Sequence, residues 1–487
     1  MSSSQEYLTL AIRNHQSGDL QNAEAYYKKE IELNPNSMDA YEGLGDLYRE
    51  NSFYAESKNC YISAVKLEPQ NAKLYVKLGL LFTAMLEYAN AKVFFLQAIE
   101  INPELFESYL NLANVYNYEN DYKNAIYYYQ KALFYNVSSC DANNNIGACY
   151  IAMNDLINAQ MYYERALKIN PEHIRTRYNN SLLLLQKKEY IEGFKEYRYR
   201  YHDIIKAGKE GVAYRPTLLK KGESIEGKTL YINHEQGLGD TLQFARYFPF
   251  FLEQGAKIIS YVPESLKRLF EHNYGDVEFF LPGIDISFDC NFPLCEASYL
   301  LGDSYKSIPF QESYLTVKQE DVLAFKEQHK IVSKKLKIGI NYRGSQGVDA
   351  QKNRSLELEL LLDTLESFRD KVEIYSIQYE RSLEDDTLLE NRGVKNLGRE
   401  IKDFYDTALI VENMDLVVSI DTSVLHLCGA MGKESLALLK FAPDWRWSLE
   451  DKKTNWYSSL TLLRQTSDKD WQSVMSQLED AIREKIS

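Results

Sequence analysis

The chain has 487 residues, 70 of them acidic and 56 basic, for a net charge of −14. That length suffices for two or three domains with cores of their own, and the acidity argues against nucleic acid as a partner, whose binding rests on neutralised phosphates. With 45% hydrophobic residues, 38 tyrosines and only 11 prolines, the composition excludes a disordered chain.

The opening segment, MSSSQEYLTLAIRNHQSGDL, lacks the basic and apolar regions of a signal peptide. No stretch approaches the ~18 uncharged apolar residues of a membrane-spanning helix. The six cysteines make no disulfide framework, and Cys290 with Cys295 has no second pair to complete a zinc site. A cytoplasmic protein with reduced thiols, no metal and no membrane span is expected.

Residues 1–205 read as a repeat array. Prolines stand at Pro35, Pro69, Pro103 and Pro171, with Val137 filling the one gap, so the period is 34. A small residue keeps that period at Ala11, Gly45, Gly79, Ala113 and Gly147. Aromatic residues keep it at Tyr48, Phe82, Tyr116 and Tyr150, and at Tyr27, Tyr61, Phe95, Tyr129 and Tyr163. Alanine recurs at Ala64, Ala98, Ala132 and Ala166. Each unit is therefore two amphipathic helices: small residues admit close approach, aromatics fill the holes, and proline ends the second helix. Period and anchor columns are those of the tetratricopeptide repeat. About five repeats are expected, followed by a degenerate capping unit from about residue 174 to 205. Of the 38 tyrosines, 25 lie in residues 1 to 201, many of them in these columns. At one inner-face column Asn111, Asn145 and Asn179 recur, and a ladder of amides can grip an extended peptide backbone without reading its sequence. The alternative is an asparagine column that contacts only water.

Beyond Tyr201 the columns stop, and residues 206–227 are polar enough to read as a linker. From Thr229 onward, apolar runs (TLYIN, KIISYV, KIGINY, VEIYSI, LVVSI) alternate with helical patterns, the signature of βαβ units and parallel sheets. A loose polar region around residues 316 to 335 divides two such groups. The expected fold class is thus an all-α solenoid followed by α/β, with two Rossmann-like lobes at 228–325 and 326–487 and a ligand cleft between them.

Two segments carry chemistry. TLYIN leads into HEQGLGDTLQFARYF, where Gly237 and Gly239 allow a tight strand-to-helix turn and Asp240 lies near the helix start. Complementing the helix terminus is the plain alternative for Asp240. The third glycine of a dinucleotide fingerprint is missing, so NAD is not implied. LVVSI leads into DTSVLHLCGAMG, where Asp421, Thr422 and Ser423 are expected to cap a helix whose N-terminus suits a phosphate, with His426 on the same face.

Taken in order, EQGLGDTLQFARY, NRSLEL, DFYDTALI, DTSVLHLCGAMG and PDWRW resemble bacterial glycosyltransferases related to the lipopolysaccharide heptosyltransferases, and more closely those fused to tetratricopeptide repeats. The plan is also similar to that of protein O-GlcNAc transferase. The resemblance implies a two-lobe, metal-independent GT-B enzyme with no cofactor beyond a nucleotide sugar as co-substrate. It assigns the first lobe to the acceptor and the second to the donor. Asp240 matches the general base. Asp421, Thr422, Ser423 and His426 match the donor-diphosphate site, and Arg354 a basic position near it. Gln378 ends a strand facing the same cleft. Three departures bear on donor choice: Tyr342 where tryptophan is usual, the loop SQGVDAQKN before Arg354, and Glu434-Ser435 in place of a basic-proline pair. The aromatic cluster of Trp445, Trp447, Trp456 and Tyr457 around Arg446 either stacks on a base or sugar or packs the C-terminal helix across the lobes.

The expected function is transfer of a sugar to a serine or threonine hydroxyl of a protein held by the repeat groove, a flagellar or surface protein being suited to the role. A lipid-linked or saccharide acceptor is the second reading, and a non-catalytic repeat adaptor the third.

Overall fold

The 34-residue period is realised as antiparallel helix pairs. They run α1 (Ser3–Ser17) with α2 (Leu20–Leu33), α3 (Met38–Glu50) with α4 (Tyr54–Leu67), α5 (Ala72–Ala84) with α6 (Tyr88–Ile101), α7 (Phe106–Tyr118) with α8 (Tyr122–Tyr135), and α9 (Cys140–Ala152) with α10 (Leu156–Ile169). Helices α11 (Ile174–Gln186) and α12 (Tyr190–Tyr197) follow. This computed structural model describes residues 3–201, 218–280, 286–301, 308–344 and 355–487. It divides into two units, Met1–Asn179 and Asn180–Ser487.

In the first unit the glycine column is where aromatic rings come to rest. A Cβ added at Gly45 would lie 2.6 Å from the Tyr61 ring, at Gly79 2.5 Å from Phe95, and at Gly147 2.4 Å from Tyr163. At these three positions glycine admits the ring where a Cβ would collide, while the same column takes alanine at Ala11 and Ala113. Ala64, Ala98, Ala132 and Ala166 are fully buried, as the column required. Within each pair the chain turns through a left-handed residue at Gly18, Ser52, Leu86, Asn120 and Asn154, a second 34-residue column set by backbone and not by side chain. The next residue's N–H closes each turn back onto the first helix, as Asp121 N to Tyr116 O at 2.9 Å.

The second unit begins inside what reads as the capping repeat. It holds α12 and two parallel sheets. The first sheet has the order β3-β2-β1-β4, from β1 (Thr229–Asn233), β2 (Lys257–Tyr261), β3 (Val277–Phe280) and β4 (Cys290–Pro293). The second has the order β10-β9-β8-β5-β6-β7, from β5 (Leu336–Asn341), β6 (Val372–Ser376), β7 (Lys395–Asn396), β8 (Leu416–Ile420), β9 (Ser435–Leu439) and β10 (Leu460–Arg464). Ile338 of β5 pairs Ile374 on one side and Leu416 on the other, and β8 and β9 are buried at every residue, as strands covered on both faces must be. Helix α13 (Leu238–Phe244) follows β1, and α14 (Phe248–Glu253), α15 (Glu264–Asn273) and α16 (Ala297–Leu301) complete the first group. The second group carries α17 (Gln319–Gln328), α18 (Leu358–Glu366), α19 (Leu383–Asn391), α20 (Phe404–Glu412), α21 (Ser423–Ala430) and α22 (Trp471–Ile486).

Four boundaries move. The array does not extend as one body to 205, because Phe194 and Tyr197 of α12 are buried against Phe244, Trp445 and Trp456 of the α/β unit. The described end of the linker, from Leu218, is not free: Leu219 and Ile225 are buried, and Leu219 N donates to Asn291 O of β4 at 3.0 Å. The region expected to be loose at 316 to 335 contains α17. That helix serves the second group and not the first, since Asn413 Nδ2 donates to Val322 O and the Tyr405 hydroxyl to Asp321. The division at 325 and 326 therefore falls inside a helix. Helix α22 packs on α18 within the second group, through Val474, Met475, Leu478 and Ile482, and not across the lobes.

Candidate functional site

The strand orders explain where the chemical segments lie. In the first sheet β1 has β2 on one side and β4 on the other, so the chain reverses its direction of winding between β1 and β4. In the second the same reversal falls between β5 and β8. The carboxyl ends of strands at such switch points open a crevice in parallel sheets. Both chemical turns leave from them.

After β1, Gln236 takes a left-handed conformation with φ 59° and Gly237 forms the N-cap of α13. Asp240 turns back on its own helix, its Oδ2 accepting from Gly237 N at 2.9 Å. Its Oδ1 is held by the Arg446 guanidinium, from the loop between β9 and β10. Helix capping and a second role thus coexist in one carboxylate, which keeps an exposure of 18%. His234 in the same turn shares a hydrogen bond with the Thr241 hydroxyl; burial holds its imidazole below the usual range, against the pull of the Asp240 charge.

After β8, Thr422 is the N-cap of α21, yet its side chain does not cap the helix as expected. The Thr422 hydroxyl instead donates to Asn341 Oδ1 at 2.9 Å, and the Ser419 hydroxyl joins it at 3.1 Å. The N-cap side chain thus leaves the first amides of α21 to other acceptors, a role that a bound anion can fill. Asn341 continues to Gln378, whose Oε1 accepts from Asn341 Nδ2, Tyr342 N and Arg343 N at 3.0, 3.1 and 2.9 Å. With its Nε2 on Arg343 O, Gln378 organises the chain leaving β5 from a buried position and does not present its amide outward. Arg354 lies outside the described residues, as does the loop SQGVDAQKN.

The two turns meet. Gly239 faces the ring of His426, and a Cβ there would lie 2.7 Å from His426 Cδ2. His426 is buried, its Nδ1 2.9 Å from the Tyr457 hydroxyl and its ring 5.4 Å from that of Trp447. The Gly239–His426 contact thus joins the start of α13, which carries Asp240, to α21.

The aromatic cluster is core. Trp447, Trp456 and Tyr457 are nearly inaccessible, and they pack α12, α13 and α21 and not a ligand face or α22. What the sequence reading missed is the guanidinium within it. Arg446 donates to Asp240, to Asp444 at 2.7 Å and to Gln243, and lies over the Trp445 ring at 4.2 Å. Arg246 is likewise fully buried, bonding Gln243 O, Pro309 O and Trp456 O. An arginine inside an aromatic motif was the available signal. Among the described residues, no three His, Cys, Asp or Glu side chains group as a metal site.

In the groove of the first unit, the asparagine column is partly consumed. Asn145 Nδ2 donates to Asn114 Oδ1 at 3.1 Å and Asn179 Nδ2 to Asn144 Oδ1 at 3.0 Å, each tying consecutive repeats together. Asn111 has no such bond to a neighbouring repeat among the described residues and is half-buried.

The helical unit is of a known kind. Residues 7–37, 72–105, 106–133 and 141–173 match the tetratricopeptide repeat family. The N-terminal unit is accordingly a tetratricopeptide solenoid, an architecture that presents protein-binding surfaces. Similar solved structures include YrrB, described as a TPR protein with an unusual peptide-binding site, at 23% identity, covering 36% of this chain and 91% of that one with a TM-score of 0.31. PilF of Pseudomonas aeruginosa matches at 19% identity over 43% of this chain and 93% of its own, with a TM-score of 0.36. A thermophilic TPR protein of Thermus thermophilus, TTC0263, matches at 18% over 38% and 100%, with a TM-score of 0.33. No curated protein matches the chain. Among the described residues no helix is long and apolar enough to cross a membrane.

Proposed function

We propose that the chain is a metal-independent GT-B glycosyltransferase, cytoplasmic in location, that moves a sugar from a nucleotide sugar to a serine or threonine hydroxyl of a protein bound by the repeat array. The observation that carries this reading is the meeting of the two switch-point turns: Gly239 against His426, and Asp240 beside them with a partly accessible carboxylate.

In the proposed reaction an Asp240 oxygen takes the proton of the acceptor hydroxyl as its oxygen attacks the anomeric carbon. The bond from that carbon to the diphosphate breaks, and the leaving diphosphate carries the electron pair. Its charge is met by the first amides of α21, which the Thr422 side chain does not cap, supported by Ser423. A single displacement inverts the anomeric centre. Gln378 contributes by fixing the Asn341–Thr422 connection beneath the donor site.

The test is the intact mass of partner proteins that co-purify with the enzyme. Wild type adds a hexose- or N-acetylhexosamine-sized increment, and Asp240→Ala binds the same partner without adding it. An increment that persists with Asp240→Ala removes Asp240 as the base. Partners unmodified by wild type leave the array as a binding module only.

A further inference from the structure

Arg446 is remote in sequence from the GLGD turn but built into it. Its side chain is 8% exposed, and its N–H groups fan out to three acceptors: Asp240 Oδ1, Asp444 Oδ1 and Gln243 Oε1. Trp445 supports the guanidinium plane at 4.2 Å, and the Thr454 hydroxyl holds the Arg446 carbonyl at 2.9 Å. A guanidinium fixed in plane and at its base offers its donors in one direction only, which an ammonium on a flexible stem does not. Asp240 is gripped at both oxygens, by the Gly237 amide from its own turn and by Arg446 from the other sheet's connection. Two grips hold the carboxylate, one at each oxygen, while it keeps an exposure of 18%.

We propose that Arg446 is a positioning residue, which fixes the Asp240 carboxylate and orders the turn carrying it through a contact from the second α/β group. The proposal rests on Asp240 being the base. Misplacement of a reacting group by about 1 Å can cost about 100-fold in rate without weakening substrate binding.

The test uses the full chain with Arg446→Met, Arg446→Lys and Asp240→Asn. One readout is hydrogen exchange of the peptide covering residues 235–244. The other is release of nucleoside diphosphate from UDP-N-acetylglucosamine, UDP-glucose and GDP-mannose. Arg446→Met is expected to raise exchange at the 237–241 amides about tenfold and to lower kcat 10- to 100-fold, with donor KM within about twofold. Arg446→Lys keeps the charge and loses the fork, so both of its readouts fall between those of wild type and Arg446→Met. Unchanged exchange in Arg446→Met overturns the proposal. So do wild-type values for Arg446→Lys, or a raised donor KM at unchanged kcat, which would make Arg446 a donor contact. Asp240→Asn separates the two levels: wild-type turnover in that variant, or no turnover by the wild type, refutes the base reading itself, while the exchange result decides the clamp.

Discussion

At Gly239 one missing methyl group decides whether two distant turns can meet. Its Cα lies so close to His426 that an added Cβ would be 2.7 Å from a ring held on its far side by Tyr457 and Trp447. Yielding would cost the ring its hydrogen bond to Tyr457 or its contact with Trp447. Gly239→Ala should therefore destabilise the α/β unit by about 1–3 kcal/mol, the usual cost of overpacking, and abolish the donor turnover proposed above. Urea unfolding together with the diphosphate-release assay checks both. His234 carries a separate, pH-dependent cost. Burial depresses its folded pKa, so below about 6.5 the unfolded chain takes up a proton that the folded chain resists. Its contribution to stability is full above that pH and is lost as the pH falls toward the folded value. His234→Gln should lose less urea stability than wild type between pH 7.5 and 5.5, and equal losses would show that His234 is not a source of acid sensitivity.

The elements of the solenoid show which features a sequence can display. Columns that demand a side chain are legible: glycine under Tyr61, Phe95 and Tyr163, and alanine where helices cross. The left-handed column is not, because Gly18, Ser52, Leu86, Asn120 and Asn154 share a backbone state and no chemistry. The asparagine column is visible as a pattern, but its use is decided between neighbouring repeats. Asn145 and Asn179 are bonded to Asn114 and Asn144, so replacing both with alanine should lower the solenoid's stability by about 1–2 kcal/mol. Asn111→Ala should leave stability within about 0.5 kcal/mol of wild type. Any loss of partner binding in Asn111→Ala then reports on the groove, whereas the double variant mixes binding with folding. Thermal unfolding and partner pull-down on the same samples distinguish the two. In the α/β unit the five apolar runs read from sequence are β1, β2, β5, β6 and β8. Strand β4, with the sequence CNFP, was hidden because proline and asparagine are poor strand formers. Strand order is a long-range property, so neither the switch points nor the meeting of Gly239 with His426 was legible.

At the scale of the whole molecule, the capping repeat has changed allegiance. Its period assigns α12 to the solenoid, but its buried contacts assign it to the α/β unit. Arg200 pairs with Glu235 at 2.7 Å, with the two side chains only 5% and 8% exposed, and the Tyr197 hydroxyl donates to Gln236 at 3.0 Å. Those partners are the residues immediately before Gly237, so the end of the repeat sequence supports the turn that carries Asp240. Burial lifts the Glu235 carboxyl above its usual range even with Arg200 in place. Without Arg200 its buried charge would lose its ion partner and keep the Cys295 amide at 2.9 Å, at a cost of about 3–5 kcal/mol. A fragment starting at residue 206, the boundary that periodicity suggests, should therefore lack a cooperative melt and expose the Trp445–Trp456 core to dye. A fragment starting at residue 174 keeps α11 and α12 whole and should melt sharply. Calorimetry of the two fragments decides the matter. Equal, cooperative transitions would return α12 to the array and remove its support of the turn, whereas a sharp transition only in the longer fragment makes α12 a part of the α/β unit.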